Sequence, residues 1–271
     1  MSPGHASPNV GKITYRENVT RDLAIIRVRP AVGGTVPEFS AGQFVALGLK
    51  VDNDYKITYR AYSLSSPPEE KNHFEFYIKL ALEPVMGKFT SALFKMRQGD
   101  SLYWRGPTGA FTIEDRKTDG TPETRRLVLV ASGTGLAPFV SYALHLKSIG
   151  SKREIVLLHG ARYAQELGYH DILDRLAATA PNFKYIPTVS RPDHQLSRGW
   201  RGRTGRVESL LGPQLENVVG EKITPANSFF HICGYQGTID SVIAVLSPLS
   251  FVTNRSKRKD GSFDIKIETY G

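Results

Sequence analysis

The chain has 271 residues, 40% of them hydrophobic and 23% charged, which suits one large domain or two of moderate size and excludes a disordered polymer. Lys and Arg number 35 against 26 Asp and Glu, and the net charge of +9 favours an acidic partner or a phosphorylated ligand. The single cysteine, Cys233, excludes intrachain disulfides and any four-cysteine zinc site or iron–sulfur cluster built from this chain alone, so no metal site is expected.

Residues 1–11 are polar and rich in Pro, Gly and Ser, without the basic and apolar regions of a secretory signal. A disordered start and a cytoplasmic location are expected. No apolar run approaches the ~18 residues of a spanning helix, so membrane insertion is not expected. Short runs rich in Val, Ile, Tyr and Phe, broken by Gly, Pro and Asn, predict strands over 12–19, 23–29, 43–49, 57–64, 73–80 and 101–105. Six such strands fit an antiparallel β-barrel. A helix over 88–96 interrupts them, after Gly87 and before Gln98.

Residues 114–126 are polar and charged, with Gly120 and Pro122, and this shift sets the expected domains at 12–120 and 121–271. Beyond it, apolar runs over 127–131, 154–159, 184–189, 229–233 and 263–268 alternate with helical patterns over 136–149, 165–180, 207–211 and 238–246. Strand alternating with helix predicts an α/β doubly wound parallel sheet, whose ligands bind at the carboxyl ends of its strands.

Three constellations carry chemistry. Arg60-Ala61-Tyr62-Ser63 on a strand offers a guanidinium for a phosphate, a ring that stacks and a hydroxyl. A half-buried strand with a solvent Arg and a core Tyr would look the same. Gly133-Thr134-Gly135-Leu136-Ala137-Pro138 follows a strand and opens a helix, where glycines let a pyrophosphate approach free N–H groups. Glycine turns of this kind also occur without a ligand. Arg162, Ser190-Arg191 and Arg206 follow later strands, and loops after parallel strands converge on one edge, where cations suit a ribose 2′-phosphate. Any one of these arginines also fits a solvated loop.

In combination and in this order, R-A-Y-S, G-T-G-L-A-P, S-R, C-G and E-T-Y resemble the ferredoxin (flavodoxin)–NADP reductase family over almost the whole chain. The resemblance implies FAD and NADP as cofactors. It implies that Arg60 binds the FAD pyrophosphate, that Tyr62 stacks on the flavin beside Ala61, and that Ser63 hydrogen-bonds near flavin N5. Tyr77 matches a further flavin-contacting strand, and Gly87 with Lys88, Phe89, Thr90 and Ser91 matches a phosphate-binding turn. Gly133, Thr134, Gly135 and Pro138 match the NADP pyrophosphate turn, with Thr134 near the flavin–nicotinamide junction. Arg162, Ser190, Arg191 and Arg206 match the grip on the 2′-phosphate side. Ser63, Cys233, Glu268 and Tyr270 match residues around the reacting rings, Tyr270 as a stacking tyrosine. Two features depart from the pattern: Gly271 follows Tyr270, and no proline follows Cys233-Gly234, which leaves 235–237 without a role.

The implied activity is that of a ferredoxin–NADP(+) reductase, exchanging electrons with an acidic one-electron carrier, ferredoxin or flavodoxin. A monomer without a nucleic-acid partner is expected. The alternative on the same scaffold is another FAD-containing NAD(P)H reductase, acting on ferric siderophores or as an oxygenase component. From a different class, a basic barrel also suits nucleic acid, and a colourless preparation would favour that reading over a yellow flavoprotein.

Overall fold

A computed structural model describes residues 8–51, 56–82 and 87–270. The chain divides into two compact units after Thr112, so the polar stretch expected to hold a boundary at residue 120 lies inside the second unit. The first unit is one antiparallel sheet of β1 (Asn9–Thr20), β2 (Leu23–Pro30), β3 (Phe44–Lys50), β4 (Ile57–Ser63), β5 (Phe74–Lys79) and β6 (Ser101–Thr108), in the order β4-β3-β6-β1-β2-β5. A bridge between Leu64 and Phe76 brings the edge strands together, so the sheet curls into a barrel. Phe74, Phe76 and Ile78 alternate inward along β5 and meet Val45, Leu47 and Leu102 in the core, while Glu75 and Tyr77 between them are buried on the opposite face. Helix α1 (Lys88–Lys95) adds Phe89 and Leu93 to that core. Residues 1–7 of the expected disordered start lie outside the described residues, as does Gly271, and from Asn9 the chain is already strand.

The second unit is a wholly parallel sheet of β7 (Arg126–Ser132), β8 (Ile155–Ala161), β9 (Phe183–Val189), β10 (Arg203–Thr204), β11 (Ser228–Tyr235) and β12 (Ile265–Tyr270), in the order β10-β9-β8-β7-β11-β12. Its helices are α2 (Ala137–Ser148), α3 (His170–Thr179), α4 (Pro213–Val219) and α5 (Gln236–Leu246). Central strands such as β7 are buried along nearly their whole length, which is why they read as continuous apolar runs.

Three expectations shift. The helix expected over 165–180 starts only at His170, because Glu166 folds back to accept the Tyr163 N–H and closes a separate 3-10 turn at Ala164–Glu166. The helix expected over 207–211 is a 3-10 turn, Val207–Leu210, and the true helix is α4, with Pro213 in its first turn and Gly220 capping its end in the left-handed region (φ 83°). The final strand runs two residues further than expected, in register with β11 from Phe230–Ile265 to Tyr235–Tyr270. No helix among the described residues is long and apolar enough to cross a membrane.

Candidate functional site

In the first unit the Arg60–Ser63 motif occupies the second half of β4, with Arg60 opposite Leu47 and Tyr62 opposite Val45 on β3. Tyr62 packs near the first turn of α1: its ring centroid lies 6.1 Å from that of Phe89, and burial raises its phenol well above the usual range. Ser63 is buried, Ala61 exposed, and Arg60 is exposed with its Nη1 on the Tyr59 carbonyl at 2.9 Å. Tyr77 is buried on β5, which meets the end of the motif's strand through the Leu64–Phe76 bridge. Helix α1 begins at Lys88 with no side-chain cap and no acid in its first turn, which leaves its amino end a favourable place for an anion. Thr90 is used internally, donating to the Gly87 carbonyl and accepting the Ala81 N–H, both at 3.2 Å. Ser91 Oγ is buried and has no partner among the described residues. A buried hydroxyl left so costs about 1–3 kcal/mol, and an acceptor such as a phosphate oxygen would satisfy it.

In the second unit every predicted residue sits at the carboxyl edge of the sheet. Gly133 (φ 56°) turns the chain out of β7 into a 3-10 turn that holds Thr134, and α2 then opens with a buried Pro138. Gly135 lies so close to β11 that an added Cβ would stand 2.1 Å from the Cys233 carbonyl oxygen. Cys233 is fully buried, its thiol pushed up by burial and by the neighbouring Glu268, so it is a thiol and donates to Glu268 Oε2 at 3.7 Å. The β11–β12 register pairs Cys233 with Glu268 and Tyr235 with Tyr270, which sets these residues side by side.

The other half of the edge is basic. Arg162 follows β8, Ser190 and Arg191 follow β9, and Arg206 stands two residues past β10, on three consecutive strands. All four are exposed. Gly205 is pinned to β9 by its N–H on the Val189 carbonyl and by the buried Thr188 hydroxyl on its own carbonyl, each at 3.0 Å, which fixes where Arg206 begins. Two side chains that the sequence did not single out belong here. Tyr163 accepts a hydrogen bond from Arg191, and Ser197 ties the loops after β8 and β9 together. Neither lies in a motif, and only the folding of the two loops joins them.

Residues 11–113 match the family model of an oxidoreductase FAD-binding domain, and residues 129–243 match that of an oxidoreductase NAD-binding domain. The chain belongs to the FAD- and NAD-binding oxidoreductases. Among curated relatives of this oxidoreductase, the F subunit of the Na(+)-translocating NADH-quinone reductase of Pseudomonas aeruginosa is 30% identical over 228 residues, 82% of this chain and 52% of the relative. Its counterpart in Marinomonas sp. is 31% identical over 223 residues, 80% of this chain and 50% of the relative. The chain thus spans about half the length of the curated relatives it matches. Its fold is similar to that of a ferredoxin NADP+ reductase from Neisseria gonorrhoeae, crystallised with FAD and NADP (TM-score 0.79, 23% identity, 98% of this chain and 99% of that one). It is also similar to the FAD/NAD-binding domain of a Vibrio cholerae nitric oxide dioxygenase (TM-score 0.77, 17% identity, 98% and 100%).

FAD and a nicotinamide dinucleotide are therefore the cofactors of this oxidoreductase. The residues present fit both. The uncapped α1 with its unsatisfied Ser91 hydroxyl suits a phosphate of FAD, and the glycine turn before α2, open to solvent at Gly133, suits a pyrophosphate.

Proposed function

We propose that this oxidoreductase passes electrons between NADP(H) and a one-electron carrier protein, ferredoxin or flavodoxin. Bound FAD supplies a group that takes a hydride and releases electrons singly. The chain's own residues bind and orient. In this reading Arg60 and Ser91, with the amino end of α1, hold the FAD phosphates, while Tyr62 and Tyr77 border the flavin. Lys88, Phe89 and Thr90 shape the turn that receives the phosphates, and Ser63 serves as a buried hydroxyl donor beside the ring. Gly133, Thr134, Gly135 and Pro138 admit the pyrophosphate of NADP, and Cys233, Glu268 and Tyr270 flank its nicotinamide.

The observation that carries the choice of NADP over NAD is the row of exposed arginines after β8, β9 and β10. A site for an unphosphorylated ribose tends to place an acid after its second strand, whereas Arg162 stands there in this chain. The net charge of +9 supports an acidic carrier, since complementary charge speeds encounter. A second reading draws on the relatives named as part of an NADH-quinone reductase, in which NADH would be the donor and a quinone the final acceptor.

Acceptor assays separate the two. The purified protein is expected to reduce ferredoxin or flavodoxin with NADPH, detected by coupled cytochrome c reduction, and to reduce a water-soluble quinone with NADH far more slowly. Brisk NADH-to-quinone activity with no response to either carrier would overturn the proposal.

A further inference from the structure

Arg191 is an exposed cation, yet hydrogen bonds to its backbone and its side chain fix it. Its N–H donates to the Arg162 carbonyl at 3.0 Å, its carbonyl accepts from the Ser197 hydroxyl at 2.8 Å, and its Nη1 donates to the Tyr163 hydroxyl at 3.0 Å. Ser197 is itself buried and accepts the Ala164 N–H at 3.1 Å. One hydroxyl therefore locks the loop that carries Arg191 onto the loop that carries Tyr163. The tyrosine is braced in turn. The His194 ring packs against it, tilted by 36° with ring centroids 4.3 Å apart, and Leu196 N–H donates to His194 Nδ1 at 3.1 Å, which fixes the imidazole.

Holding an exposed arginine still costs rotamer entropy, so a surface arginine is ordinarily left free. No carboxylate pairs with Arg191 among the described residues, so its charge is held in place without being neutralised. A neutral phenol is the kind of partner that orients a guanidinium and leaves its charge for a ligand, which lowers the ordering cost when an anion binds.

We infer that Tyr163 is a positioning residue: its hydroxyl, backed by the His194 ring, presets Arg191 for the phosphomonoester that distinguishes NADPH from NADH. The inference rests on the reading of Arg191 as a phosphate ligand given above.

Tyr163→Phe keeps the ring and its contact with His194 and deletes only the acceptor. The ratio of kcat/KM for NADPH over NADH is expected to fall about threefold to tenfold, as befits one hydrogen bond to an exposed charged group. The fall should lie in KM for NADPH rather than in kcat, and inhibition by 2′,5′-ADP should weaken by the same factor relative to 5′-AMP. In an Arg191→Ala background Tyr163→Phe should change nothing further, because the hydroxyl acts only through that guanidinium. An unmoved ratio, an equal loss with both coenzymes, or a full additional loss in the double variant would each overturn the role of Tyr163. Arg191→Ala alone separates this from the reading beneath it. A ratio that ignores Arg191→Ala overturns the phosphate site as a whole, and one that falls for Arg191→Ala but not for Tyr163→Phe overturns only the tyrosine's part.

Discussion

At Gly135 the need for glycine is a matter of space rather than of backbone angle. A methyl group there would sit 2.1 Å from the Cys233 oxygen and 2.6 Å from its carbon, and these are backbone atoms of β11 rather than a side chain that could swing aside. Gly135→Ala should therefore destabilise the second unit toward the upper end of the about 1–3 kcal/mol typical of overpacking, and weaken nucleotide binding. A variant with parental melting temperature and parental affinity would show that the turn is free to shift. His159 offers a second test. It is fully buried, with Nδ1 2.9 Å from the Tyr185 hydroxyl and Nε2 without a partner among the described residues. Burial, helped by the nearby His170, holds its pKa down at about 3. The folded chain keeps this imidazole neutral, whereas the unfolded chain protonates it near the ordinary value of about 6.5. Its contribution is thus complete above that pH and is lost as pH falls toward 3, by about 1.4 kcal/mol per unit. In urea titrations at pH 7.5 and pH 5.0 the parent should lose about 2 kcal/mol more stability than His159→Gln. Equal losses would contradict the assignment of a neutral histidine. The sequence revealed the glycines because a strand-to-helix turn has a spacing, but it did not reveal His159 or Tyr163, whose partners lie on other strands and loops.

Among the elements, α1 is the shortest link between sequence and cofactor. Its amino end is uncapped, while its carboxyl end is closed from β1: Arg16 Nη1 donates to the carbonyls of Phe94 at 2.9 Å and Met96 at 2.7 Å, with the guanidinium 5.1 Å from the Phe94 ring. Cations at this end of a helix also complement its dipole. Arg16→Ala should cost about 1–2 kcal/mol, discounted because Arg16 is only partly buried, and should loosen FAD although Arg16 stands at the opposite end of the helix from the phosphate turn. Flavin retained through dialysis as well as in the parent would show that the cap has no bearing on the site. Elements with a clear period were legible. The β5 alternation and the apolar β7 needed nothing but their own residues. Elements that lack a period were not: β10 has two residues, the 3-10 turn at Val207–Leu210 has four, and α4 was marked only by Gly212 ahead of it, Pro213 at its start and Gly220 after it. Arg162, Arg191 and Arg206 were legible as residues of one edge all the same, because strand–helix alternation alone sends the loops after the strands to one side.

Over the whole molecule, charge is sorted within the second unit. The stretch 114–126 reads as a linker because it is rich in charge, yet several of those charges are spent on pairing: Glu114 with Lys266 at 2.5 Å, Glu123 with Arg125, and Arg126 with Glu154 at 2.8 Å and Glu221 at 2.6 Å. Arg125 also reaches Asp264 at 2.8 Å ahead of β12, so this network gathers at the amino ends of the strands. Composition alone does not tell a charged linker from a charged network. At the carboxyl ends, Arg162, Arg191 and Arg206 have no acidic partner among the described residues. The sheet therefore presents neutralised charge on one edge and free positive charge on the other, where a dinucleotide meets an α/β sheet. This free charge is expected to read the 2′-phosphate of NADPH. Each charge-assisted contact to a phosphate contributes about 1.5–3 kcal/mol, so even one of them made only with NADPH predicts at least a tenfold preference. Steady-state kinetics of the purified protein with an artificial one-electron acceptor, titrated with NADPH and with NADH, measures that preference directly. The value of kcat/KM for NADPH should lie at least tenfold above that for NADH, and equal values or a preference for NADH would contradict a 2′-phosphate site on this edge.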